Sequence, residues 1–503
     1  MNQSRRPTVK AATTALGIDI GSTNTKVAVI RVDASVTELS VQSSPTPRDA
    51  SSLIDTVLRL ISAALAATGA RPEVVGIASM AETGVPLDAA GDPLTALLRW
   101  DGTTGSRAAD HLFDRLGRRE LFAATGVPAS AKAPLAIWAG IRQEQPQLWS
   151  AMAHWAGMCD LIGWALTGEL GTDHTLAGRT MAYRLPAASA SLSREFDDAL
   201  LAEAGMPVAR LPRILLPGEI LGFVTPTAAT SSGLVAGTPV IIAGHDHAVG
   251  SWAAGVRSPG DAADSVGTAE ALVRVLGAPV DRAEVAGCGM SLTRSVTGTH
   301  ECLLAASSSA GSFLRWWFRT HLGGAEPTRL LAAGDYLDPD PTGLLVLPYL
   351  RGRQTPVPDP DATVQLLDVH GAAVAPGTRP QAELVRAAFE GLSLQLRWMD
   401  DEQRRLAGHP EPGAIVVLGG NVDRHWTRIK AAVLPGAVSS VAAREPVAAG
   451  AALLALARLH PRAQFPTLPA VPEPHHGTDR YRAVFDAFVV TAARTPTPVI
   501  GEK

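Results

Sequence analysis

The stretch ALGIDIGSTNTKVAVIRVD, residues 15–33, decides how this chain is read. Apolar residues alternate on both sides of Gly21-Ser22-Thr23-Asn24, which predicts strand, tight turn, strand. A second stretch, ADSVGTAEALVRVLG (263–277), has the same form, with Gly267 and Thr268 in its turn. Gly21 and Gly267 lie 246 positions apart, about half of the 503 residues. Two related halves, each opening with a hairpin, would give that spacing. So would coincidence, since hairpins with Gly-Thr turns are common. GVRSPGDAAD (255–264) has the Gly, Pro and Ser of a hinge between halves.

Around the hairpins, helix and strand patterns mix. SSLIDTVLRLISAALAATG (51–69) has apolar residues at helical spacing and stops at Gly69, and EVVGIASM (73–80) reads as an apolar strand. PVIIAGHDHAVGSWAAGV (239–256) reads as a buried strand breaking into a helix. Further on come a long helical pattern ended by Gly408, the strand AIVVLGGN (414–421) and a small-residue helix, AAGAALLALARLH (448–460). This mixture predicts an α/β fold. Residues 1–13 read as a loose tail.

Composition narrows the function classes. Apolar residues are 46% of the chain, enough for sizeable cores, and charged residues are 18%. Disorder of the whole chain is excluded. A net charge of −4 argues against a nucleic-acid binder, which carries a basic surplus. Cys159, Cys288 and Cys302 form no CxxC pair, so no disulfide framework is indicated and a reducing cytoplasm is expected. The N-terminus lacks the apolar core of a secretory signal. The longest apolar stretch, Val447–Ala457, falls short of the roughly 20 residues that span a membrane. Only five of the 44 basic residues are lysines, so each lysine merits a look.

In the first hairpin, successive backbone N–H groups of a Gly-containing turn make a concave anion site, and the Ser22 and Thr23 hydroxyls add donors. Asp19, just before the turn, could hold a hydrated Mg²⁺ against phosphate oxygens, and Lys26 could add positive charge. The alternative is an ordinary hairpin with Asp19 as a turn former. Gly267 and Thr268 could grip the same phosphates from the other side. Gly419-Gly420-Asn421 would let the backbone approach a flat ligand, or form a plain strand-to-helix turn. Gly-His245-Asp246-His247 ends a strand, where ligands of α/β folds bind. Asp246 could be a general base. His245 and His247 could instead ligate a metal, both facing one way from an extended strand. Or the four residues are simply a polar strand end.

These motifs, in this order, resemble the FGGY carbohydrate kinases of the actin-like ATPase superfamily. The resemblance runs from about Leu16 to Leu459 and rests on IDIGSTNTK, LTGELGTDHTLAGRT (166–180), the run into GHDHAVG, SVGTAEAL, and LPYLRGRQTP with Arg353-Gln354 replacing Glu-Arg. It ends on VVLGGNVDRHWTRIKAAVL followed by EPVAAGAALLA. It implies two actin-like (ribonuclease H-like) domains flanking a deep cleft, residues 14–255 binding a sugar and 256–503 binding ATP. Asp246 matches the catalytic base, and Asp19 with Asp246 would position Mg²⁺. Gly21, Ser22, Thr23, Asn24, Lys26, Gly267, Thr268 and Gly311 would hold the phosphates. Gly419, Gly420 and Asn421 would border the adenosine. The expected ligands are MgATP and a small sugar or polyol, with no nucleic acid and no membrane, and a homodimer is compatible.

The substrate pocket is implied at Glu82, Trp100, Asp101, Lys132 and His247. Glu82 falls where glycerol kinases carry a glutamate, but the arginine before it there is Ala81 here. Trp100-Asp101 matches the family's Trp-Asn-Asp-x-Arg in part, with Thr104 at the arginine position. A pocket this polar suits a substrate rich in hydroxyls. Lys132 raises the idea of a carboxylate-bearing substrate such as an aldonate; the alternative is a surface lysine. Two other readings stand beside the kinase: an ATP- and sugar-binding sensor, motivated by the altered Trp100-Asp101 stretch, and a hydrolase using a metal on His245 and His247.

Overall fold

The structure is a computed structural model that describes residues 12–325, 329–330, 340–420, 423–474 and 479–494. Its first half is built on six strands: β1 (Thr13–Ile20), β2 (Asn24–Val32), β3 (Val36–Pro45), β4 (Val75–Ser79), β5 (Gly222–Phe223) and β6 (Pro239–His245). They pair in the order β3-β2-β1-β4-β6-β5. The first three are antiparallel, and β1, β4 and β6 run parallel. Helix α1 (Ala50–Thr68) covers this sheet through Leu53, Val57, Leu60 and Ile61. It starts at an Asp49 cap, and it ends, as the sequence predicts, on Gly69, which is in the left-handed conformation. By length and apolarity α1, rather than Val447–Ala457, is long enough to cross a membrane. It packs one face on β2 and β3, as a core-covering helix does.

After α2 (Asp246–Ala253) the second half repeats the pattern. Its strands are β7 (Ala262–Val266), β8 (Glu270–Val275), β9 (Ser291–Arg294), β10 (Glu301–Ser307), β11 (Ile415–Leu418), β12 (Val438–Val441) and β13 (Ala470–Pro472). Their order is β9-β10-β8-β7-β11-β12-β13. Hence β10-β8-β7-β11-β12 reproduces β3-β2-β1-β4-β6, with the same antiparallel and parallel neighbours. Two hairpins half a chain apart are therefore a repeat and not coincidence. Helices of the second half of the chain include α3 (Gly311–His321), α4 (Gln381–Leu406), α5 (Arg424–Val433) and α6 (Pro446–Leu459).

Helix α6 departs from that division. It comes after the second sheet's strands but packs on β1, β2 and β4 of the first sheet, and crosses α2. Small residues permit this. A Cβ on Gly17 of β1 would lie 1.8 Å from the Ala448 carbonyl oxygen, and one on Gly76 of β4 would lie 2.1 Å from that of Ala451. A shared apolar cluster of Ala15, Ile30, Val249, Trp252, Leu453 and Leu456 results, joining the halves at the base of the cleft.

Between β4 and β5 the first half carries a long insertion, residues 80–221. Its helices pack around Phe113, Trp138, Trp155 and Tyr183 as a separate apolar cluster. This insertion presents Glu82, Trp100, Lys132 and Arg179 to the cleft. The three cysteines are free thiols.

Candidate active site

One cavity of about 560 Å³ lies between the halves. Its wall contains Asp19, Gly21, Ser22, Thr23, Asn24 and Lys26 of the first hairpin, and Gly267 and Thr268 of the second. Glu82, Trp100, Lys132, Asp246, His247, Gly311, Gly419 and Gly420 complete the set of sequence-predicted residues it brings together. Asn421 lies outside the described residues. Asp101 is not in this wall. Its carboxylate is taken by Arg99 (Nε–Oδ1 2.9 Å) at the mouth, in a larger groove continuous with the cavity. Arg99, two residues before Asp101 and five before Thr104, thus brings a guanidinium to this stretch.

The two hairpins face each other. The Gly21 N–H donates to the Asn24 carbonyl (3.1 Å) and the Gly267 N–H to that of Ala269 (2.7 Å), closing each turn. The Thr23 and Thr268 hydroxyls meet at 2.8 Å across the cleft. Gly311 is spent on structure: its N–H donates to the Gly267 carbonyl (3.1 Å), and a Cβ there would clash with that oxygen at 2.5 Å.

Asp19 stands opposite Lys26 in the β1–β2 register. Lys26 pairs with Asp19 (3.1 Å) and with Glu445 before α6 (3.2 Å), and the Asp19 carboxylate, its main neighbour, holds its ammonium well above the usual lysine range. Lys26 is therefore a clamp between β2 and α6 more than a free cation. The other Asp19 oxygen, Oδ1, is buried without a hydrogen-bond partner. Hard oxygen donors from Asp19 and Asp246 beside two hydroxyl-bearing turns fit a hydrated Mg²⁺ that accompanies phosphate.

Asp246 opens α2, and its Oδ1 accepts the His247 N–H (2.7 Å). Its position is fixed from behind. The Asp173 carboxylate accepts the Thr175 N–H (2.8 Å) and hydroxyl (2.7 Å), and that hydroxyl accepts the His245 N–H (2.9 Å). Gly244, at φ +126°, is the residue this contact demands, because a Cβ would lie 2.5 Å from the Thr175 hydroxyl. Burial pushes the Asp246 carboxyl above the usual range, and Asp19 adds to it, while His247 opposes. His247 Nδ1 reaches the Ser265 hydroxyl of β7 (2.9 Å), a contact between the halves.

The strand ends at His245 and the helix begins at Asp246, so the two imidazoles do not project from one extended strand. Donor atoms of His245, Asp246 and His247 still lie within 4.8 Å of one another. However, burial first, then His247 and Arg179, hold His245 well below the usual imidazole range, and Lys132 also bears on it. Arg179 and Lys132 oppose a dication at that spot, while Glu82 acts the other way.

The acceptor end holds a residue that sequence reasoning missed. Arg179, inside the LTGELGTDHTLAGRT stretch, donates to Glu82 from Nη2 (2.6 Å) and Nε (3.0 Å), and to Ser291 of β9 (2.9 Å). Glu82 itself has φ +61°, a strained conformation for a non-glycine residue. Burial alone would raise its carboxyl, but Arg179 and Lys132 bring it down to about 2. Lys132 is not a surface lysine. It lines the cavity with its ammonium 5.7 Å from the Trp100 ring centre. Burial pulls its pKa down and Glu82 opposes, but among the described residues no carboxylate lies within 4 Å of it. The opposite end is aromatic: Phe389 and Trp426 stack at 5.8 Å, nearly parallel, beside Phe318.

A repeated α/β half with opposed hydroxyl-bearing turns across a cleft is the architecture of the actin-like fold. The chain belongs to the FGGY family of carbohydrate kinases. The family's N-terminal domain matches residues 14–252 and its C-terminal domain 262–459. Gluconokinase of Bacillus subtilis is 24% identical over 402 residues, covering 76% of this chain and 75% of that protein. L-fuculokinase of Escherichia coli K12 is 27% identical over 392 residues, covering 75% and 76%. Among solved structures, a gluconate kinase from Lactobacillus acidophilus superposes with a TM-score of 0.79 at 19% identity, covering 96% of this chain and 99% of that one.

Proposed function

We propose that the protein transfers the γ-phosphoryl group of MgATP to a hydroxyl of a small polyhydroxylated acid of the aldonate class. Residues 14–255 bind the acceptor and 256–503 the nucleotide. The observation that carries the substrate class is Lys132, an ammonium in the acceptor wall that has no carboxylate within 4 Å among the described residues. Glu82 attracts Lys132 but is itself paired with Arg179, which leaves the Lys132 ammonium free to take an acceptor carboxylate. The groove leading in adds Arg119 and Arg351, which draw an anion toward the cavity.

In the transfer, Asp246 accepts the proton of the attacking hydroxyl as its oxygen bonds to phosphorus and the bridging oxygen leaves with ADP. The Gly21–Thr23 and Gly267–Thr268 turns offer N–H and O–H donors to the phosphates, whose oxygens replace the Thr23–Thr268 contact. Asp19 and Asp246 would hold a hydrated Mg²⁺, whose charge would offset that of the phosphates. Closure of the halves over these groups excludes water as a competing acceptor.

Lys132→Met is expected to lower kcat/KM for aldonates by about 10- to 100-fold, the worth of a hydrogen bond to a charged group. Coupled ADP release with matched neutral pentuloses and polyols is the control. An equal loss for neutral and acidic acceptors would remove the carboxylate from the reading.

A further inference from the structure

The nucleotide end of the cavity holds a buried charged cluster that the transfer step does not use. Lys430 of α5, Asp264 of β7 and Glu270 of β8 are all 0% exposed. The Lys430 ammonium donates to Asp264 Oδ2 and to Glu270 Oε1 (2.6 Å). It also lies 4.2 Å from the centre of the Trp426 ring, which stacks on Phe389. Asp264 stands three residues before Gly267, and Glu270 two after Thr268. One lysine therefore ties both arms of the second hairpin to the aromatic wall.

Stability does not account for the cluster. It holds two carboxylates and one cation. Asp264 Oδ1 and Glu270 Oε2 are buried without hydrogen-bond partners. Desolvation opposes such groups, and apolar replacements of like volume are commonly neutral or stabilising. What the cluster does supply is a set distance. The hairpin turn and the Phe389–Trp426 wall border the same cavity from different elements, and Lys430 is where those elements are pinned.

We infer that Lys430 is a positioning residue for the nucleotide, holding the Gly267-Thr268 turn and the Phe389–Trp426 wall at the separation one nucleoside triphosphate spans. The inference rests on the proposed nucleotide reading of that cavity. Its consequence is specific. When two subsites are held at the right spacing, binding one end of a ligand presents the other end at high effective concentration. Loss of the spacing penalises the whole ligand and spares its parts.

Lys430→Met alone strands two buried carboxylates. The decisive variant is therefore the triple substitution Asp264→Asn, Glu270→Gln, Lys430→Met, which leaves no charge behind and carries the same reading if the single variant does not fold. Calorimetry would measure MgATP, adenosine and magnesium tripolyphosphate separately, and steady-state kinetics the acceptor KM at saturating MgATP. The expected result is MgATP affinity about tenfold weaker, both fragments changed by less than about twofold, and acceptor KM unchanged. Equal weakening of ATP and either fragment would overturn the inference, since the cluster would then shape a single wall. Unchanged ATP binding would also overturn it. Wild-type protein in which neither fragment competes with ATP would overturn the nucleotide reading, and the inference with it.

Discussion

Asp246→Asn is expected to lower kcat by about 10²- to 10⁴-fold, the usual worth of a general base, with MgATP still bound through Asp19 and the two turns. Asparagine keeps the shape and can still accept the His247 N–H that fixes Oδ1 at 2.7 Å. It cannot take a proton. The carboxyl lies at the start of α2 with Asp19 nearby, and its pKa is raised by burial first. A raised pKa makes a stronger base once the group is ionised. The sign for pH follows. Activity needs the ionised form, so kcat/KM is full above the raised value and falls as pH drops through it, at a higher pH than an ordinary carboxylate would give. Glu82, held at about 2, contributes nothing to that limb. Coupled ADP release with and without acceptor, beside calorimetry with MgATP, reads both quantities. A variant retaining more than about a tenth of the wild-type rate would remove Asp246 from the role of base.

What was legible in the sequence follows from range. The hairpins were readable because alternation and a Gly-containing turn are local signals, and the topology repeats around them. The run into Gly244 was readable as a strand end for the same reason. Burial and pairing were not. Lys132 looks like any surface lysine until the 80–221 insertion folds it against Trp100. Asp101 lies in the groove leading to the acceptor wall, and the sequence did not show that its carboxylate pairs with Arg99 there. Arg179 sits in a stretch quoted for the resemblance, yet its target, Glu82, lies 97 residues earlier. Phe389 and Trp426 carry the helical spacing of the core they belong to, and nothing in that spacing says that they also border a cavity. The small residues of α6 announced a close contact, but the surface contacted lies more than 400 residues earlier, on β1.

That contact carries the second large effect. Gly17→Ala is expected to destabilise the protein by about 3 kcal/mol, the upper range for overpacking, and to lower the apparent melting midpoint by about 5–10 °C. The added methyl would meet backbone, the Ala448 carbonyl oxygen at 1.8 Å and the Ala452 nitrogen at 2.7 Å, so no side-chain rotation relieves it. Either β1 or α6 must move. Helix α6 begins one residue after Glu445, which pairs with Lys26 and borders Gly420. It also crosses α2 where Gly450 meets Ala253, seven residues beyond Asp246. A shift of α6 is thus felt at the phosphate hairpin and behind the base together. Catalytic efficiency of the folded fraction should fall along with stability. Gly287→Ala is the matched control: it lies in a helix with nothing within 4 Å of the new methyl. It should be neutral or stabilising by up to about 1 kcal/mol. If the two variants melted alike, the close seat of α6 on β1 would not be what joins the halves.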